Sequence, residues 1–291
     1  MVQYIETKSI LSELKGKDPY FGITYNMNLY RGCQHGCIYC DTRSECYGIN
    51  DISTVSVKKN ALELLAKELP TKRKNKATVG TGSMNDPYMP VEKELQLTRK
   101  ALQIIAREKF PVHIITKSNL VERDADILQD ISKTYAAVSF TVTSADDLLA
   151  QRVEPCAPPT SKRLEAMKRL AERGIYTGVT LMPILPFIND TADNITAIVN
   201  RAKESGASYI IPMFGVTLRK GSREYFYNAL DNNGFEGFKA QYQSRFGEQY
   251  ECFTPNYRVL TDTFRELCNQ LGISTRMQFY QPKIYEQLSI F

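Results

Sequence analysis

Six short apolar segments, each separated from the next by residues of helical spacing, constrain this chain more than any other feature. The strand-like segments are GITYNMNLY (22–30), ATVGTG (77–82), VHIITKS (112–118), AAVSFTVTS (136–144), YTGVTLMPI (176–184) and YIIPMFG (209–215). Between them lie helical patterns. VKKNALELLAKELP (57–70) sets Ala61, Leu64, Leu65 and Glu68 near one stripe, and EKELQLTRKALQIIAREK (92–109) repeats Leu95, Thr98, Leu102 and Ile105 at helical steps. SKRLEAMKRLAERG (161–174) closes on the glycine that often follows a helix. TADNITAIVNRAKESG (191–206) does the same and opens on Thr and Asp, residues suited to capping. Strands and helices alternating at this spacing predict parallel βαβ units. Six units fit a barrel, or part of one, better than a long doubly wound sheet. The expectation is an α/β protein with a partial (β/α)6 barrel of the TIM type and an active face at the C-terminal ends of its strands.

The expected organisation is an N-terminal arm (1–20), the barrel (21–215), and an aromatic-rich C-terminal cap and tail (216–291). At 291 residues, with 43% hydrophobic and 24% charged residues, the composition is that of an ordinary globular chain with a full core. No apolar run reaches the roughly 18 residues of a membrane span. The N-terminus lacks a signal-peptide core. A cytoplasmic protein with reduced thiols and no membrane partner is expected. The net charge of +5 permits nucleic-acid binding without requiring it.

Just after the first strand, NLYRGCQHGCIYCDTRSECY (28–47) gathers Cys33, Cys37, Cys40 and Cys46, four of the seven cysteines. An odd count with tight local spacing suits metal binding better than a disulfide framework. Thiolates are soft ligands for zinc or for iron–sulfur clusters. Three close cysteines on a flexible loop can hold a cubane and leave its fourth iron open. Zinc with Cys46 or His35 as fourth ligand, or simply buried thiols, are the alternatives.

RGCQHGCIYC resembles the signature of the radical S-adenosylmethionine (SAM) superfamily, and Tyr39 before the third cysteine fits that pattern. GTGSMNDPYMPVEKELQLTRKALQII and RVEPCAPPTSKRLEAMKRLAERGIYTGVTLMPILPFIND are similar to the spore photoproduct lyase-like, or DNA repair photolyase-like, branch. The resemblance covers about residues 20–215. It implies one [4Fe–4S] cluster on Cys33, Cys37 and Cys40, with SAM chelating the open iron. One-electron reduction then cleaves SAM to methionine and a 5′-deoxyadenosyl radical. It also implies an electron donor such as flavodoxin or ferredoxin. Cys46 must stand off the cluster. Lys117, ending the third strand, corresponds to a lysine expected on the methionyl carboxylate. Ser83 and Asn85 fall where the superfamily contacts the methionyl amino group. Ser139 and Thr141 fall where a hydroxyl meets the ribose; strand alternation puts both on one face. Asp86 also lies in this stretch, as a turn residue before Pro87. Arg152 and Glu154, in RVEP, are candidate SAM or substrate contacts, with a structural ion pair as the alternative.

The pattern also departs from that branch. Spore photoproduct lyases carry a hydrogen-donating cysteine shortly after the second strand, and an aromatic residue after the third cluster cysteine. Here GTGSMNDPY holds no cysteine and the second position is Asp41. Cys156 is the candidate donor that remains. The implied activity is therefore a radical SAM enzyme acting on nucleic acid in repair. Modification of a peptide or small molecule is the alternative, and a non-catalytic iron–sulfur protein a weaker one.

Ten aromatic residues fall between Tyr225 and Tyr257, in a chain with 17 tyrosines and 13 phenylalanines. Such density stacks nucleobases in some proteins, but the near-balanced charge here favours a packed cap. The basic run KRKNK (72–76) joins a helix to the second strand and belongs on the opposite face from the cysteines. The final residues Gln287, Leu288, Ser289, Ile290 and Phe291 are similar to the short peptide with which bacterial repair and replication proteins dock on the DNA sliding clamp. Gln at a groove rim, with Leu288, Ile290 and Phe291 in apolar pockets, is the physical basis of that reading.

Overall fold

The computed structural model describes residues 2–16 and 18–282; the clamp-like peptide 287–291 lies outside the described residues. Six strands form the centre: β1 (Ile23–Met27), β2 (Thr78–Thr81), β3 (Val112–Thr116), β4 (Ala136–Thr141), β5 (Tyr176–Leu181) and β6 (Tyr209–Pro212). Each pairs in parallel with the next in chain order. A seventh strand, Leu11–Glu13, joins β1 antiparallel, and the sheet stays open between that strand and β6. It is a partial barrel. Every residue of β4 is buried, as expected for a central parallel strand covered on both faces.

Each strand is followed by a helix of the outer layer: α1 (Ala61–Thr71), α2 (Leu97–Arg107), α3 (Ala125–Ile131), α4 (Thr160–Glu172), α5 (Ala192–Glu204) and α6 (Tyr257–Leu271). The helical stripes face the sheet: α1 buries Ala61, Leu65 and Leu69, and α2 buries Ala101, Leu102 and Ile105. These side chains and most of those of the strands form one continuous apolar core, while Ala137, Tyr209 and Ile211 belong to a separate smaller cluster. The caps read from sequence are present. Thr191 Oγ1 accepts from Asn194 N at 3.2 Å, and Gly174 and Gly206 follow α4 and α5 with positive φ. The barrel also depends on glycine where strands crowd: a Cβ at Gly178 would lie 2.5 Å from the Tyr209 ring.

Three local features differ from the periodicity. The stretch 92–109 is two helices, Glu92–Leu95 and α2, separated by Gln96 at φ 52°. Residues Val55–Lys58 are a strand, pairing with Val2–Ile5 in parallel and with Tyr30–Arg31 antiparallel in a small side sheet. The sixth helix of the barrel layer, α6, comes from beyond 215, and it packs on α5.

Between β6 and α6 the chain pairs the strands Gly215–Thr217 and Glu251–Phe253 antiparallel, with the helices Ser222–Asn232 and Phe238–Phe246 between them. Here Phe226, Phe235, Tyr242 and Phe246 build a second apolar cluster with Ile38, Tyr39 and Val153. Tyr242 meets Phe226 edge-on at 5.0 Å and donates its hydroxyl to the Pro186 carbonyl at 2.9 Å. These buried aromatics pack a cap against the cysteine loop; Tyr225, Tyr250, Phe253 and Tyr257 stay exposed.

Candidate active site

The cysteine loop leaves β1 and is held at both ends by backbone hydrogen bonds: Cys33 N donates to Ile52 O at 2.7 Å and Ile38 N to Val153 O at 3.0 Å. Gly32 makes the close turn at φ 87°, where an added Cβ would sit 2.6 Å from the Thr54 carbonyl oxygen. Cys33, Cys37 and Cys40 line a cleft of ≈ 310 Å³ over the C-terminal ends of the strands. Ser83, Asn85 and Asp86 enter it after β2, Thr116 and Lys117 from the end of β3, and Thr141 from β4. Met182 and Met213 follow β5 and β6.

All three thiols are free. Burial pushes the Cys33 thiol up to about 11, with Asp86 adding to the shift. Burial also raises Cys37, opposed by Lys117. Metal ligation requires thiolates, so a metal centre bound here would displace those protons to solvent, against the burial that raises Cys33 and Cys37. That donor chemistry fits an iron–sulfur cluster. Among the described residues, no three Cys, His, Asp or Glu side chains converge tightly enough for a single metal ion. Of the two proposed fourth ligands of a zinc site, His35 lines the cleft but is engaged by other partners, and Cys46 lies outside it. His35 sets Nε2 3.1 Å from Asp86 Oδ2 and turns Nδ1 toward the Cys156 carbonyl at 3.4 Å. Cys46 is exposed, outside the cleft, with Arg219 Nη1 3.7 Å from its sulfur.

Lys117 is partly buried, and its ammonium lies 5.7 Å from the Tyr39 ring centre. Burial pulls its pKa down, but Cys37, Glu154 and Asp86 outweigh that, and the net shift is upward. The lysine remains a cation. Asp86 is a buried hub: it accepts from Thr116 Oγ1 at 2.7 Å, Lys117 N at 2.6 Å and Tyr88 N at 2.9 Å. Burial raises its pKa, yet His35 and these donors bring it to about 2. Asn85 Nδ2 donates to the Tyr30 carbonyl at 2.8 Å, and Ser83 Oγ to Asn26 Oδ1 at 2.9 Å.

Glu154 lies beneath the cleft rather than in its lining. It is fully buried, pairs with Arg163 Nη2 at 2.5 Å and accepts the Tyr39 hydroxyl. Arg163 also donates from Nε to Pro158 O at 2.7 Å and from Nη1 to Thr141 O at 3.0 Å. A structural ion pair is thus what the RVEP glutamate makes. Arg152 points away, stacking 4.0 Å over Phe235 and donating to the Asn233 and Gly234 carbonyls. Ser139 sits deeper in the barrel, hydrogen-bonded to His113 Nε2 at 2.7 Å and Tyr209 Oη at 2.6 Å, whereas Thr141 reaches the cleft and pairs with Thr180 Oγ1 at 2.9 Å. Cys156 is exposed and lines a separate hollow on the far side of the loop. Sequence reasoning did not find the His35–Asp86 pair, Arg163, or the methionines of the rim. Met182 and Met213 carried a usable signal, since both lie just past a strand's C-terminal end.

Comparison with known proteins agrees with this fold. The family model of the radical SAM superfamily matches residues 27–214. An uncharacterised protein of Methanocaldococcus jannaschii is 31% identical over 244 residues, covering 81% of this chain and 88% of that protein. A radical SAM Nalpha-GlyT isomerase of Pseudomonas phage M6 is 24% identical over 182 residues, covering 62% of this chain and 37% of that protein. Among solved structures, spore photoproduct lyase complexed with dinucleoside spore photoproduct superposes with a TM-score of 0.71 at 15% identity, over 93% of this chain and 79% of that one. The family match runs from the cysteine loop through β6. The chain therefore belongs to the radical SAM superfamily and is a radical SAM enzyme, with the fold of spore photoproduct lyase.

Proposed function

We propose that the chain holds a [4Fe–4S] cluster on Cys33, Cys37 and Cys40, binds SAM beside it, and acts in the cytoplasm on a modified or damaged base in nucleic acid. Bound together, cluster and SAM supply reductive cleavage to methionine and a 5′-deoxyadenosyl radical. The observation that carries the reading is the pairing, in one cleft, of three thiols with a cation. Lys117 Nζ has no hydrogen bond or ion pair to a described residue and is left to receive a carboxylate. Ser83 and Asn85 line the same wall and are the side chains offered to the methionyl amino group. Thr141 is the hydroxyl offered to the ribose, and Tyr39 fixes the floor. The superfamily supplies the cofactors by kinship, since its name states SAM chemistry. The substrate class rests on one neighbour, the lyase, whose solved complexes hold AdoMet and a dinucleoside photoproduct. Because Cys156 opens onto another hollow, we read the reaction as distinct from one that takes a hydrogen from that thiol.

Anaerobic reconstitution with SAM and dithionite tests the first half. Methionine and 5′-deoxyadenosine are expected, and an intact cluster that yields neither sinks the reading. For the substrate, deuterated oligonucleotides bearing altered pyrimidines are expected to pass deuterium into 5′-deoxyadenosine. Transfer only from peptides or small molecules would replace the nucleic-acid assignment.

A further inference from the structure

The cluster loop has two sides. One faces the cleft; the other forms the wall of a separate hollow of ≈ 510 Å³, above the ends of β2, β3 and β4. Three contacts make that wall thin. Cys156 N donates to His35 O at 3.0 Å, His35 Nδ1 faces Cys156 O at 3.4 Å, and a Cβ at Gly36 would lie 3.7 Å from Cys156 Sγ. His35 and Gly36 stand between Cys33 and Cys37, so the surface at Cys156 is one layer of backbone from the loop that carries the ligands. His35, only 2% exposed, lines both the cleft and the hollow.

The lining of the hollow has the composition of a docking surface rather than of a substrate pocket. Pro90, Leu120, Pro155, Ala157 and Pro158 give it stiff apolar patches among the polar Tyr88, Ser118 and Asn119; Lys93 is exposed and brings a cation; no carboxylate lines it. Lys93 forms no ion pair with a described residue. A mixed apolar and polar surface beside an unpaired cation complements an acidic partner.

We propose that this hollow is where a small acidic one-electron carrier protein docks to reduce the cluster. The inference rests on the radical SAM reading above and adds the place of entry. Electron transfer weakens steeply with distance, and substrate must occupy the cleft side during turnover. Delivery across the Cys156 wall leaves the cleft free. The step balances as one electron: the carrier is oxidised by one and the cluster reduced by one, with no proton or group transferred.

Reduced flavodoxin is the probe, added to the protein carrying its cluster. Cys156 and Cys46 are both exposed, and they report different faces. Flavodoxin is expected to slow alkylation of Cys156 at least fivefold and to leave Cys46 unchanged. Lys93→Glu and, separately, Ala157→Asp are expected to weaken the flavodoxin complex about tenfold by calorimetry. Both variants should slow flavodoxin-driven SAM cleavage, while dithionite-driven cleavage stays at the wild-type rate. Protection of Cys46 instead of Cys156, wild-type affinity in both variants, or no complex at all would each overturn the assignment. Failure of dithionite to drive cleavage in the wild type would count against the catalytic reading, and the alkylation footprint would still decide the docking face.

Discussion

Glu154 joins two halves of the site: Arg163 pairs with one carboxylate oxygen, and the other accepts the Tyr39 hydroxyl and, at 3.4 Å, Thr143 Oγ1. A charge so buried is tolerable only while paired. Arg163→Met should therefore cost about 3–5 kcal/mol of unfolding free energy. Arg163→Met combined with Glu154→Leu should recover part of that loss in urea melts, because no lone charge remains. Lys117 acts on ligand rather than on stability. Lys117→Ala should weaken SAM binding to the reconstituted protein by on the order of 1.5–3 kcal/mol, tenfold or more, with cluster content unchanged; equilibrium dialysis measures it, and wild-type affinity would remove Lys117 from the site. Alanine at Cys33, Cys37 or Cys40 should each abolish the visible iron–sulfur absorption, while Cys46→Ala keeps it. Loss in the Cys46 variant with the fold intact would indicate four thiolate ligands.

At the level of elements, β3, β4 and β6 share a buried polar chain running from His113 through Ser139 to Tyr209. Burial holds the His113 ring down to about 3, so it stays neutral in the folded barrel. In the unfolded chain the same ring takes up a proton near pH 6.5. The unfolded state therefore binds more protons between those values, and stability rises with pH across the window. Urea midpoints should decline as the pH falls below about 6.5. His113→Gln, which keeps a partner for Ser139, should flatten that decline; an equal slope in the variant would place the acid sensitivity elsewhere. The same chain explains why Ser139 and Thr141 differ although both point inward. Two residues along a strand separate a side chain locked among barrel-filling partners from one at the cleft.

At the scale of the whole molecule, the C-terminal segment does two jobs. Its cap aromatics pack on Ile38, Tyr39 and Val153 behind the cysteine loop, and α6 completes the outer layer on α5. Ser274, just beyond α6, also bridges Tyr209 of β6. A chain ending at residue 215 should thus expose the apolar face of α5 and the edge of β6. Such a truncation is expected to lose cooperative thermal unfolding, seen by circular dichroism, and to bind no cluster. A truncated barrel that melted cooperatively would make the cap an independent addition. Among the described residues no helix is long and apolar enough to cross a membrane.

Local pattern was enough for the strand–helix alternation, the helix caps at Thr191, Gly174 and Gly206, and the sulfur loop after the first strand, because periodicity and motif spacing are properties of neighbours in sequence. They record which face a residue lies on, not how deep it lies or what it meets. Arg152 and Glu154 are two residues apart, yet one stacks on Phe235 of the cap and the other pairs with Arg163 beneath the cleft. Cys156 and His35 share a wall although 121 positions separate them. Val57 and Lys58 read as the start of a helix until Val2–Ile5 and Tyr30–Arg31 supply the ladder of the strand Val55–Lys58. Those outcomes depend on partners brought together only by the closed packing of the chain, where burial decides which polar groups must be satisfied internally and which are left facing a ligand.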